Sequence, residues 1–144
     1  MIDFNYISDY QIVNKELYIS WLNAIISSED KIDGDITYIF CDDDYLLKIN
    51  QEYLDHNTYT DIITFDYTNG DAIAGDIFIS VDRVKENAGK FDVEFEEELR
   101  RVMSHGILHL SGYGDKKEDE AKVMRAKEEE KMKLFHVEQK LDRT

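Results

Sequence analysis

The sequence predicts an α+β domain, a small mixed sheet of about four strands with about five helices packed on it. Three observations carry that prediction. Apolar residues recur at three- and four-residue steps in several segments, and they alternate at every second position in others. Proline is absent and only 7 glycines occur, so no linker or low-complexity stretch divides the chain. With 144 residues and 42% apolar positions it can bury one core but is short for two ordinary domains, and residues 1–144 read as a single domain.

Taken in order, Leu17, Trp21, Ala24, Ile25 and Ser28 share one helical face, so residues 14–29 are expected to form an amphipathic helix with Trp21 in the core. The run DITYIFCD alternates around Ile36, Tyr38 and Phe40 as a half-buried strand does. Asp42, Asp43 and Asp44 then supply a capped helix start with negative charge at its N-terminus, and Leu46, Leu47, Ile49, Tyr53 and Leu54 continue that helix. DIITFDY and GDIFISVD are β-rich runs on either side of a polar, glycine-containing stretch, and read as paired strands. Val81 to Gly89 is a short helix. Val93 to Leu110 is a longer one, with Phe95, Leu99, Val102, Met103, Gly106 and Leu110 on a common face. The chain breaks at Gly112 and Gly114 and resumes helical character from Glu118 to Leu134.

The formal charge of −15 argues against broad, non-specific adhesion to polyphosphate or anionic lipid. Its distribution is uneven. Residues 1–99 hold 6 basic and 23 acidic side chains, whereas residues 100–133 hold 9 basic and 7 acidic ones. Only the last third is suited to receive a polyanion. The alternative for its cations is that Lys122, Arg125, Lys127, Lys131 and Lys133 pair with Glu118, Glu128, Glu129 and Glu130 on a solvated helix. Cys41 is the sole cysteine, which excludes an intrachain disulfide and makes a reducing, cytoplasmic location the expectation. No apolar run approaches the roughly 20 residues that span a bilayer, and the first residues lack the pattern of a secretory leader.

His105 and His109 lie four apart on the longer helix, so both imidazoles project from one face and can bind one metal ion. Gly112 can take the left-handed backbone that turns the chain back and delivers Asp115 as a third ligand. A metal site is therefore expected at the end of the central helix. The run HGILHLSGYGD shares its ligand and glycine spacing with metzincin proteases, H-E-x-x-H-x-x-G-x-x-H, with Gly106 where those enzymes carry the general base and Asp115 where they close with His. Three protein ligands with an open fourth position survive that comparison; the acceptor for peptide hydrolysis does not. Two imidazoles are poor ligands for magnesium, so zinc, one per chain, is the expected ion, with manganese, nickel or iron as other transition-metal choices.

HGILHLSGYGD, followed by Met124 and Glu128, resembles the signature of the YbeY family of metal-dependent endoribonucleases, H-G-x-L-H-L-x-G-Y-D-H with a downstream Met and Glu. YTDIITFDY is similar to the family's P-T-D-V-L-S-F-P segment and carries Thr60, Asp61, Thr64 and Phe65. AGDIFIS is similar to its L-G-D-I-x-I-S strand and carries Gly75, Asp76 and Ser80. Asp115 stands where the family has a third His, Leu54 where it has an Arg near the substrate, and Tyr59 where it has Pro; His56 lies close enough in sequence to Leu54 to take over a polar role. The resemblance implies hydrolytic cleavage of single-stranded RNA in ribosomal RNA maturation, with His105, His109 and Asp115 as catalytic metal ligands. Arg100, Arg101, Lys116, Lys117 and Arg125, with His56, are the candidate substrate contacts. A ribosomal protein or the small ribosomal subunit is the expected partner. Two other readings share the same ligands. One is a peptidase or amidase that draws its base from Glu98 or Asp61. The other is a non-catalytic ribosome-assembly factor stiffened by zinc.

Overall fold

A computed structural model describes residues 1–142 of the chain, with side chains through Phe135. The elements are β1 (Ile2–Tyr6), α1 (Lys15–Ser28), β2 (Ile32–Cys41), α2 (Asp43–Leu54), β3 (Ile62–Asp66), β4 (Ala72–Ser80), α3 (Val81–Phe91), α4 (Phe95–Leu110) and α5 (Glu118–Asp142). The sheet runs β1-β2-β4-β3, parallel across its first three strands and antiparallel at β3. The α+β expectation holds, with four strands and five helices among the described residues. Sequence patterning assigned three of the strands; the fourth, β1, is a short parallel neighbour of β2 with Phe4 beside Tyr38.

Alternation sets the two faces of the sheet. Ile36, Tyr38 and Phe40 of β2, with Ile73, Ile77 and Ile79 of β4, meet Trp21, Leu22 and Ile25 of α1 and Leu99, Met103 and Ile107 of α4 in the main core. The residues of opposite parity face α2, where Cys41, Leu46, Ile49 and Ile63 form a smaller cluster edged by Phe65 and Phe78. Helices therefore cover both faces.

The caps follow residue chemistry. Asp42 accepts from the Tyr45 amide at the start of α2, and Ser80 accepts from the Arg83 amide at the start of α3. Helix α3 runs two residues past Gly89 and stops where Asp92 takes a left-handed conformation, φ 54°. Trp21 is fully buried, and its indole N–H donates to the Lys131 carbonyl at 2.8 Å, tying α1 to α5.

Lys131 corrects the picture of α5 as a wholly solvated charged helix. Its ammonium is buried, 2.6 Å from Glu29, the residue that caps the C-terminus of α1, and 2.6 Å from Glu130. No helix among the described residues is long and apolar enough to cross a membrane.

Candidate metal centre

Helix α4 positions two imidazoles by its pitch alone. His105 and His109 stand one turn apart with ring centroids separated by 4.5 Å. Leu110, Ser111 and Gly112 then end the helix, and Gly112 adopts φ 108°, the conformation that only glycine takes without strain. The reversal brings Asp115 back across the two rings. Its Oδ2 lies 3.2 Å from His105 Nε2 and 3.4 Å from His109 Nε2.

The other ring nitrogens are fixed from behind. His109 Nδ1 donates to the Tyr113 carbonyl at 2.9 Å, because a carbonyl can only accept. His105 Nδ1 donates to Glu128 Oε2 at 2.6 Å. With Nδ1 engaged in this way, both rings turn Nε2 toward the same carboxylate oxygen, the atom each would offer to a metal ion once deprotonated.

These donors fit a metal ion. Tetrahedral zinc with bonds of about 2.0–2.1 Å places neighbouring ligand atoms about 3.3 Å apart, which the two Nε2–Oδ2 separations bracket. Among the described residues no fourth His, Cys, Asp or Glu joins the group, and all three ligands border an open cleft of about 830 Å³. The group of three therefore faces the cleft rather than the protein interior. Burial draws the His105 imidazole down, but the hydrogen bond and charge of Glu128, with Asp115 and Asp61, raise it above its ordinary value. The same carboxylates make this a site that attracts a cation.

The cleft runs from Asn50 and His56, along Thr60 to Thr64 of the sheet edge, to Asn87 and Phe91 of α3 and Arg125 and Glu128 of α5. Arg101, Lys116, Arg125 and His56 line it. Arg101 is committed to carboxylates, 2.6 Å from Glu129 and 3.4 Å from Glu128. Arg100 and Lys117 do not line the cleft. One residue is about 100° of helix, and that rotation carries Arg100 off the side of α4 that faces the cleft. There its guanidinium sits 4.3 Å over the Phe135 ring and donates to Tyr18. Lys117 is exposed at the start of α5, its amide donating to Glu120.

Two acids quoted from the sequence gain a place here. Asp61 and Glu98 both border the cleft, and burial lifts each carboxyl above its usual range. Two supports have no local signal in the sequence. Glu128 lies 23 residues beyond the ring it orients, and Glu29, which accepts from the Tyr113 hydroxyl at 2.6 Å, comes from the cap just after α1. Gly106 faces the sheet, where a Cβ would meet Ile77 at 3.0 Å, and so occupies a packing position rather than the cleft.

Comparison with known proteins agrees with this geometry. Residues 4–136 match the family model described as Endoribonuclease YbeY. A Flavobacterium johnsoniae protein named Endoribonuclease YbeY is 58% identical over 139 residues, covering 96% of this chain and all of that one. A Christiangramia forsetii protein of the same name is 56% identical over 138 residues, 96% of each chain. The solution structure of a Thermotoga maritima protein superposes with a TM-score of 0.66 at 26% identity, covering 99% of this chain and 93% of that one. On the family match and the extent of these alignments, the chain belongs to the Endoribonuclease YbeY family.

Proposed function

We propose that the protein is a zinc-dependent endoribonuclease that cuts single-stranded RNA, with ribosomal RNA as its substrate in the cytoplasm and a ribosomal protein or the small ribosomal subunit as its partner. The observation that carries the metal-dependent reading is the pair of Nε2–Oδ2 separations, 3.2 and 3.4 Å, with both Nδ1 atoms held from behind. His105, His109 and Asp115 would hold the ion, and when bound it supplies a Lewis acid for a phosphoryl oxygen or a water.

The chain's own groups do the rest. Glu128 and the Tyr113 carbonyl keep both imidazoles in one tautomer and one orientation. Lys116 and Arg125 meet phosphate charge along the cleft, while Arg101 neutralises Glu128 and Glu129. Asp61 and Glu98 set two carboxyls beside the cleft, and burial shifts each toward its protonated form. The open cleft and the three-residue ligand group favour a catalytic site over a closed structural one.

The purified protein is expected to contain about one zinc per chain by elemental analysis, and His109→Ala to lose it. Single-stranded RNA is expected to be cleaved, with cleavage stopped by a chelator and absent in His109→Ala. A metal-free wild type that folds and cleaves RNA in chelator would overturn the metal-dependent reading. Turnover of an unstructured protein substrate with no turnover of RNA would favour the peptidase alternative.

A further inference from the structure

The last residue of α3 presents an aromatic ring that the core does not use. Phe91 is 53% exposed, belongs to neither apolar cluster, and borders the cleft together with Asn87, one turn earlier on the same helix. With about half of its surface left to solvent, the phenyl forgoes much of the gain that burial in the core would give it. Opposite the ring, Arg125 of α5 holds its guanidinium carbon 6.0 Å from the ring centroid.

That separation is informative. It exceeds contact stacking and falls just short of two stacking distances of about 3.4 Å each. A guanidinium shift of about 1 Å opens a slot for one flat ring between the two groups. Among the described residues Arg125 makes no ion pair within 4 Å, its charge reaching Glu98 and Glu129 only at longer range, and the Asn87 amide makes no hydrogen bond, so a guanidinium without a direct carboxylate partner and a donor–acceptor pair stand beside the aromatic face.

We propose that Phe91, Arg125 and Asn87 form a subsite for one unstacked nucleobase of single-stranded RNA, the base lying on Phe91, capped by the flat face of the Arg125 guanidinium while that group's N–H edge meets the adjoining phosphate, and read at its own edge by Asn87. The proposal rests on the RNA reading of the cleft and gives it a reason to prefer single strands. A base in a duplex is stacked on both faces and cannot enter the slot. Phosphate alone fits the site poorly, because the phenyl offers it nothing and the cleft also carries Asp61, Asp66 and Glu98.

Trp21 is the only tryptophan and is fully buried, so Phe91→Trp installs a single exposed indole as a reporter. The probe is a five-nucleotide single-stranded RNA with 2′-O-methyl sugars, which resists cleavage, and the same oligonucleotide made abasic at one position at a time. On binding, the indole emission of Phe91→Trp is expected to be quenched. Phe91→Ala is expected to bind the intact probe about tenfold more weakly. One abasic position is expected to weaken the wild type by a similar factor and to leave Phe91→Ala unchanged.

Binding without quenching, or intact and abasic probes bound equally by the wild type, would mean contact through phosphate only and would overturn the subsite. So would failure to bind any probe. Cleavage of unmodified RNA is scored separately. Cleavage with no quenching removes the subsite and leaves the nuclease; quenching with no cleavage removes the nuclease and leaves the subsite.

Discussion

At the scale of single residues the centre is built by what stands behind the ligands as much as by the ligands themselves. Glu128 is buried and its Oε2 lies 2.6 Å from His105 Nδ1, while its other oxygen meets Arg101 at 3.4 Å. Removing the negative charge while keeping the shape isolates the effect of that charge on ligand basicity. Glu128→Gln is therefore expected to fold normally and to bind zinc about 10–100-fold more weakly, measured by competition with a chromogenic chelator. Unchanged affinity would assign Glu128 to the Arg101 ion pair alone. The grouping of His105, His109 and Asp115 was legible because i,i+4 spacing and a glycine are local signals, and Gly112 turns the chain as its sequence position implies. Glu128 was visible in the family signature only as a position. Its role became readable once α5 had packed beside α4. Arg100 and Arg101 show the converse limit, since adjacent cations of one type end on different sides of a helix and residue type alone does not say which meets the cleft.

At the scale of elements, the placement of the metal turn depends on how closely α4 approaches the sheet. Gly75 of β4 lies under Leu110, the last residue of α4; a Cβ there would meet Leu110 at 2.8 Å and also the Phe65 carbonyl of β3. A backbone oxygen cannot step aside, so Gly75→Ala must push β3 or α4 outward. A loss of about 2–3 kcal/mol is expected in denaturant unfolding, together with weaker zinc binding as the turn after α4 moves. A second clamp acts from the far side, where Glu29 accepts from Tyr113 at 2.6 Å and pairs with buried Lys131 at 2.6 Å. Burial pushes the Glu29 carboxyl up, but the hydrogen bonds from Lys131 and Tyr113 and the Lys131 charge outweigh it, and the group sits below its usual value. A depressed carboxyl stabilises the fold above its unfolded value and loses that contribution as pH falls through the folded one. Glu29→Gln is thus expected to cost about 2 kcal/mol at pH 7, with Glu130 still beside Lys131, and the gap between wild type and variant should close below about pH 4 in denaturation curves. A constant gap across that range would leave only shape, not charge, to explain it. The helices and three strands were legible because each carries its own period. Strand β1 was not, since five residues alternate too briefly to signal and its only sheet partner, β2, begins some 26 residues beyond its end. Helix α3 likewise outran Gly89, because one glycine lowers helix propensity without ending a helix, and the chain turns only where Asp92 takes the left-handed conformation.

At the scale of the whole molecule, the charge of −15 stands against a polyanionic substrate, and salt dependence separates local attraction from global repulsion. Arg101 is neutralised by Glu128 and Glu129, and Arg100 and Lys117 lie outside the cleft, so under the proposed RNA function Lys116 and Arg125 are the cleft cations that would meet phosphate. Each phosphate neutralised on a single strand contributes about −0.7 to the slope of log K against log salt, so two contribute about −1.4. Repulsion from the acidic body acts in the opposite sense, because salt screens it over about 10 Å at 0.1 M and thereby favours approach. The measured slope should accordingly lie between zero and about −1.4, and affinity for a short single-stranded RNA should fall no more than about sevenfold from 50 to 200 mM salt. Lys116→Gln is expected to make the slope about 0.7 less negative. A slope as steep as about −3 in the wild type would require cations beyond these two, and would place the strand across the outer face of α5 instead of along the metal cleft.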